Sequence, residues 1–319
     1  GQVSHLHSVM DSPELREVYN ANLPKITVYY AELGQNEALF AKFKALKARP
    51  DFAALSTPRK KIVDNELRDF RLGGAELPAD KKARFMQVQE ELAQLSAKFE
   101  ENLLDATNDF ALFVEDAAEL AGVPADVLAM MKAAAEADGK TGFKITLHMP
   151  SYLPVMQYAD NRDLREQVYR AYVTRASEFG KPELDNTPLI AGILRLRREA
   201  AELLGFKSYA EVSLAAKMAN TPAEVLKFLD ELGARARPYA EKDYAELKAF
   251  ARDELGLADM QAWDTTYVSE KLSVARYSFS DQEVKQYFPE PRVLAGLFKL
   301  VETLYGLQVR EDKAPTWHP

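Results

Sequence analysis

The 319-residue sequence contains no cysteine. Disulfides, thiolate metal sites and thiol nucleophiles are excluded together, and the composition fits a reducing compartment. No apolar run approaches the roughly 20 residues that cross a bilayer, and residues 1–30 do not read as a basic-then-apolar leader. A basic excess is also missing: 41 Lys and Arg stand against 49 Asp and Glu, a formal net charge of −8. Phosphate neutralisation needs clustered positive charge, so neither nucleic acid nor membrane is expected as a partner. The densest basic run, TPRKKIV (57–63), opens a predicted helix and reads as a solvated face. Three catalytic signatures are absent as well: His-Glu-x-x-His for zinc, Gly-x-Ser-x-Gly for an activated serine, and a glycine-rich phosphate loop. The paired glycines of RLGGAE (71–76) suit a helix stop instead. No fixed-period repeat is visible.

What the chain has in quantity is helix. Ser12 or Asp11 caps a helix with Pro13 in its first turn, where a missing N–H costs nothing. Residues 36–50 and 56–74 form two more. A long helix follows over 78–105, with Phe85, Val88, Leu92, Leu95 and Phe99 spaced alternately by three and four. That seam predicts packing along a second long helix. Strand signals occur over 108–116 and over 142–159, where Pro150 and Pro154 argue against a helix interior. With short helices over 118–140 between them, they predict a small β element near 108–115 and 142–148. Helices resume over 161–178, 187–204, 207–220 and 220–232. The last two start on the capping pairs Ser208/Glu211 and Thr221/Glu224. Pro238 is expected to bend or divide the helical stretch that runs on to Leu255, and 259–272 reads as a loop. The helix carrying Val293, Leu294, Leu297, Phe298, Leu300, Val301 and Leu304 is apolar around most of its circumference and predicts burial on most sides. The fold class is therefore mainly α and multi-helical. Long helices occupy 1–105, a small α/β insert 106–160, and a helical bundle 161–319.

Candidate chemistry is sparse. There are four histidines: His5, His7, His148 and His318. On a strand, His5 and His7 of HLH could offer two metal ligands, but a solvated pair is the better reading. His148 reads as a surface residue. The many carboxylate pairs, such as Glu90/Glu91 and Glu100/Glu101, carry no mark of a matched acid and base. The stretch AWDTTYVSEK (262–271) places Trp263, Asp264, Tyr267 and Lys271 together, a set suited to the wall of a ligand site, although structural packing is the stronger expectation. From residue chemistry alone no catalytic or metal-binding residue is assigned.

Several long stretches resemble a known family. KFEENLLDATNDFALFVEDAAELAGVP (98–124), MPSYLPVMQYADNRDLREQVYRAYVTRASEFG (149–180) and LGFKSYAEVSLAAKMANTPAEVLKFLDEL (204–232) are similar to the thimet oligopeptidase family of zinc metallopeptidases. WDTTYVSEKL (263–272), the stretch 277–307 and the closing WHP (317–319) continue the resemblance in order, so it covers almost the whole chain. It implies a mainly helical, clam-like body around a deep channel with a catalytic zinc on its floor. The family's zinc-binding helix, its further glutamate ligand and its catalytic tyrosine and histidine residues lie beyond the WHP segment, so none transfers to a residue here. The resemblance thus implies an internal, non-catalytic portion of a zinc oligopeptidase, inactive alone and forming a channel wall. Its zinc belongs to the intact enzyme, and its partners are short peptides and the remainder of its own polypeptide, in the cytoplasm. The Gly1 start and the Trp317 end agree with a cut chain. The alternatives are a stand-alone helical binding or scaffold module and, least favoured, a metalloenzyme built on His5, His7 and carboxylates.

Overall fold

A computed structural model of the chain describes residues 1–278, 281–313 and 315; Trp317 and His318 lie outside them. Fourteen α-helices and two strands are found among the described residues. The first half runs α1 (Gln2–Val9), α2 (Pro13–Gly34), α3 (Glu37–Lys47), α4 (Thr57–Leu72), α5 (Ala79–Asn108), β1 (Leu112–Val114), α6 (Ala125–Ala137) and β2 (Phe143–Ile145). The second runs α7 (Met149–Tyr158), α8 (Arg162–Val173), α9 (Thr187–Leu203), α10 (Tyr209–Leu214), α11 (Pro222–Asp253), α12 (Thr265–Tyr277), α13 (Asp281–Lys285) and α14 (Glu290–Tyr305). The chain divides into two compact units, one of Gly1–Leu112, Ile145–His148 and Gln167–Asp243, the other of Phe113–Lys144, Met149–Glu166 and Tyr244–Pro319.

In the first unit the cap expected at Ser12 is present, and Asn36 caps α3 in the same way. Ser12 accepts a hydrogen bond from the Leu15 N–H at 3.2 Å, and Asn36 from Leu39 at 2.9 Å. Gly74, at φ +89°, closes α4 in the left-handed region. Phe40 of α3 packs with Val63, Leu67 and Phe70 of α4 in one core cluster. The seam of α5 meets α9: Phe85 and Val88 are buried with Leu196 and Ala200, and Leu92, Leu95 and Leu203 pack around them. Burying such a side chain stabilises by about 1.5–3 kcal/mol, so a few positions fix this pairing. Both predicted capping pairs form, with the glutamate reaching one residue further upstream. Glu211 accepts from the Lys207 N–H and Glu224 from the Asn220 N–H, each at 2.8 Å.

The second unit holds α6, α7 and α12, with Leu120, Val123, Met131, Val155, Met156, Ala159 and Leu164 all buried. β1 and β2 pair as a two-stranded sheet. A second cluster gathers Ala251, Met260, Tyr267 and Val268, with Leu247, Phe250, Leu255 and Leu257 around it.

Four sequence expectations need correction. Residues 149–158 form a helix despite two prolines. Pro150 sits in its first turn, and Pro154 forfeits one backbone bond while its neighbours Val155 and Met156 are buried at 0% and 2% exposure. Pro238 does not divide α11, which runs unbroken for 32 residues. Most of the expected loop 259–272 is the start of α12, preceded by a short 3₁₀ turn at Ala262–Asp264. Finally, α14 has no buried residue: Val293, Leu294, Leu297, Phe298, Leu300 and Leu304 are all exposed, from 41% to 66%. Its apolar character is as read, but nothing among the described residues covers it.

Candidate functional site

The site begins with a backbone corner. α7 ends at Tyr158 and α8 starts at Arg162, so only three residues join the two helices. The Asp160 N–H donates to the Ala121 carbonyl at 2.8 Å. Gly122 lies at φ +89°, and a Cβ there would stand 2.1 Å from the Tyr158 carbonyl oxygen, so only glycine lets the two segments meet. Asp160 is thereby held at the surface with its carboxylate half exposed.

Two arginines on α8, three residues apart, share one face. Arg165 is 1% exposed, and its guanidinium donates to the carbonyls of Ala159 (2.7 Å) and Asp160 (3.2 Å) and to Asp264 Oδ1 (2.7 Å). It also lies 4.0 Å over the Tyr267 ring. Arg162, more exposed, donates to Asp264 Oδ2 at 2.7 Å and to the Asp259 carbonyl at 2.7 Å. Asp264, 0% exposed, accepts a further bond from the Gln261 N–H at 2.9 Å. Burial pushes the Asp264 carboxyl up, but the hydrogen bonds from Arg162, Gln261 and Arg165 outweigh it and hold the group below the usual carboxylate range.

From this anchor α12 projects Tyr267 and Lys271, four residues apart on one face. The Tyr267 hydroxyl donates to Asp160 Oδ1 at 2.8 Å, and Lys271 Nζ donates to the same oxygen at 3.2 Å. Burial, then the bond to Asp160, raises the Tyr267 phenol above its ordinary value, so it stays a donor at neutral pH. The structure therefore brings Tyr267 and Lys271, two of the sequence candidates, onto one carboxylate. Trp263 lies in the 3₁₀ turn, half-buried, with its indole Nε1 out of reach of solvent. Asp264 was named with Trp263, Tyr267 and Lys271 as part of the same stretch, whereas Asp160, Arg162 and Arg165 were not singled out from the sequence. The spacing of arginines in NRDLREQ was the available signal, but an exposed helix face gives the same pattern.

The histidines divide differently from expectation. His5 and His148 are exposed, whereas His7 is buried at 6% exposure in a helix. It is stacked on Tyr19 at 4.1 Å between ring centroids. The solvated-pair reading fails for His7 because residues two apart on a helix point in different directions. Among the described residues no three His, Asp or Glu side chains converge on a place that could hold a metal ion, so the residues present do not fit a zinc centre.

Residues 155–319, just over half of the chain, match the model of peptidase family M3. The chain belongs to peptidase family M3. Residues 1–82 match the Neurolysin/Thimet oligopeptidase N-terminal domain. This M3 chain is 47% identical over 320 residues to the oligopeptidase A of Salmonella typhimurium (strain LT2), a match over 99% of the chain and 47% of that protein. The oligopeptidase A of Escherichia coli (strain K12) is equally similar, at 47% identity over the same shares. The organellar oligopeptidase A of Arabidopsis thaliana is 40% identical over 330 residues, 100% of the chain and 41% of that protein. The M3 chain thus spans about half the length of these relatives or slightly less. Among the described residues no helix is long and apolar enough to cross a membrane.

Proposed function

We propose that this chain is a non-catalytic part of a zinc-dependent oligopeptidase that hydrolyses short peptides, and that it forms a wall of the substrate channel. The observation that carries the reading is α14, a family-matched helix whose apolar residues from Val293 to Leu304 lie exposed. Contiguous exposed apolar surface of this kind marks an interaction site, and the remainder of the polypeptide is the partner it fits. The same surface argues against a self-contained scaffold module, which would bury such a helix.

On this reading the wall carries Tyr267 and Lys271, fixed against Asp160, with Trp263 one turn earlier. Tyr267 and Asp160 hold Lys271 in place, so the exposed part of the Lys271–Asp160 pair meets a peptide as a fixed pair of opposite charges. The zinc chemistry of the family lies outside this chain, whose role is to admit and orient short peptides. The setting is cytoplasmic, with no nucleic acid or membrane partner.

Native mass spectrometry of the purified chain, run beside a fluorogenic short-peptide assay with added zinc, tests the proposal. The expected result is a chain of 35.8 kDa without stoichiometric zinc and without peptide cleavage. Zinc retained by this chain alone, with zinc-dependent cleavage, would overturn it.

A further inference from the structure

We propose that the cavity beside Arg175 is a binding site for a small apolar monoanion, a carboxylate carried on an aromatic or aliphatic body. This goes beyond the channel-wall reading and does not depend on it. The cavity lies wholly within the first unit, bordered by the end of α5, the residues leading into β1, and α8 with the turn that follows it. Its volume is about 310 Å³. That is near the lower end for ligand sites, with room for about ten water-sized groups. The ligand is therefore no larger than one amino-acid residue or a molecule of similar size.

Arg175 supplies the charge. Its Nε donates to the Tyr172 carbonyl at 2.9 Å and its Nη1 to Thr107 Oγ1 at 3.0 Å. The guanidinium carbon also lies 3.7 Å from the centroid of the Tyr172 ring. Thr107 uses its own proton on the Leu103 carbonyl at 2.7 Å, so its oxygen turns a lone pair to the arginine. These contacts fix the guanidinium plane, yet among the described residues all of them are to neutral groups. By contrast, Arg16 meets Asp105 and Arg84 meets Glu199 in two-pronged pairs. A guanidinium carries five N–H donors; two are used here, so three remain. A planar fork held in place with donors to spare suits a carboxylate.

The rest of the lining decides the charge and the body of the ligand. Lys181 also borders the cavity, but its ammonium is paired with Asp109. One positive charge is left without a counterion, and Asp109 would repel the second charge of a phosphate dianion. Phe110, Leu147, Ala171 and Leu184 add apolar wall, with Leu147 only 2% exposed. An apolar body gains by leaving water against that wall, and an inorganic anion has no such body.

Ligand-observed NMR titration of the 319-residue chain at pH 7 tests the site with 3-phenylpropionate, its uncharged amide and inorganic phosphate. The acid should bind with a Kd on the order of 1 mM, as suits a ligand of about eleven heavy atoms. The amide and phosphate should bind at least about tenfold more weakly. N-acetyl-phenylalanine separates the two sources of such a carboxylate: tighter binding than the simple acid marks a peptide C-terminus, weaker binding a free acid, and either supports the site. Arg175→Ala should weaken the acid at least about tenfold, and Arg175→Lys, which keeps the charge without the fork, by less. Ala111→Trp fills the cavity from its exposed rim with Arg175 intact, and should also weaken binding. Arg197→Ala, which removes an arginine stacked on Tyr209 outside the cavity, should leave the Kd unchanged. Circular dichroism shows which variants are folded, and Ala111→Trp decides the matter if Arg175→Ala is not. No binding of the acid at 10-fold the expected Kd, equal binding of the amide or phosphate, or an unchanged Kd in folded Arg175→Ala or Ala111→Trp would each overturn the proposal.

Discussion

Replacing Asp264 by asparagine is the substitution that probes the site most sharply. The carboxylate is inaccessible to solvent and accepts from two guanidinium groups and one backbone N–H. Asparagine preserves the volume but removes the charge, and it must turn an NH₂ group toward donors. Arg165 then remains at 1% exposure with neutral acceptors alone, the carbonyls of Ala159 and Asp160 among them, and no counterion. Leaving a buried charge without its counterion costs about 3–5 kcal/mol. Arg162 is different, because it is more than a third exposed and can rehydrate. Removing it leaves Asp264 with Arg165 and Gln261, a loss of about 1–2 kcal/mol. The expected order is therefore Asp264→Asn and Arg165→Ala well above Arg162→Ala, read by urea denaturation at pH 7. The Arg165–Asp264 pair should also show strong coupling in a double-mutant cycle. Loss of less than about 1 kcal/mol in Asp264→Asn, or equal effects from the two arginines, would refute the assignment of Asp264 as the anchor of α12.

Acid unfolding offers a second test at the same residue. A carboxyl held below its ordinary range contributes stability fully present above its unfolded value near 3.8, and loses it as pH falls through the folded value. The wild-type chain should thus shed stability below about pH 4, and Asp264→Asn should shed less over that window in calorimetry. Gly122→Ala places a Cβ against the Tyr158 carbonyl at positive φ and should destabilise by about 2–4 kcal/mol, whereas Gly139→Ala, at φ +69° with open space around it, should cost only about 1–2 kcal/mol. Chemical denaturation of the two variants separates steric approach from backbone strain. Sedimentation velocity should show concentration-dependent self-association through α14, weakened by Leu297→Glu with Leu304→Glu. A monomer at concentrations on the order of 100 μM would contradict that surface's stickiness.

Helices and their ends were legible because the signals are local. Ser12, Ser208 and Thr221 announce their caps within a few residues, and the α5 seam shows its period without reference to its partner. The errors arose where tertiary packing overrides local preference. Proline reads as a helix breaker at 154, but burial of Val155 and Met156 outweighs the single bond it removes. The site was half legible. Tyr267 and Lys271 drew notice as polar residues beside a tryptophan, yet their acceptor Asp160 lies 107 and 111 positions away. Arg165 looks like any helical surface arginine until its burial is known. His7 was misread because a short histidine-rich segment gives no sign of the Tyr19 ring waiting to receive it.

The Arg165–Asp264 ion pair also sets an order of events in folding. Its partners are 99 residues apart, and closing a loop of that length costs about 4 kcal/mol of chain entropy before any contact repays it. During synthesis Arg165 leaves the ribosome long before Asp264, so for that interval its guanidinium has the Ala159 and Asp160 carbonyls within reach but no counterion. The ion pair is thus a late contact made on early-made chain, and a nascent polypeptide halted before residue 264 would leave the Arg165 guanidinium without its carboxylate.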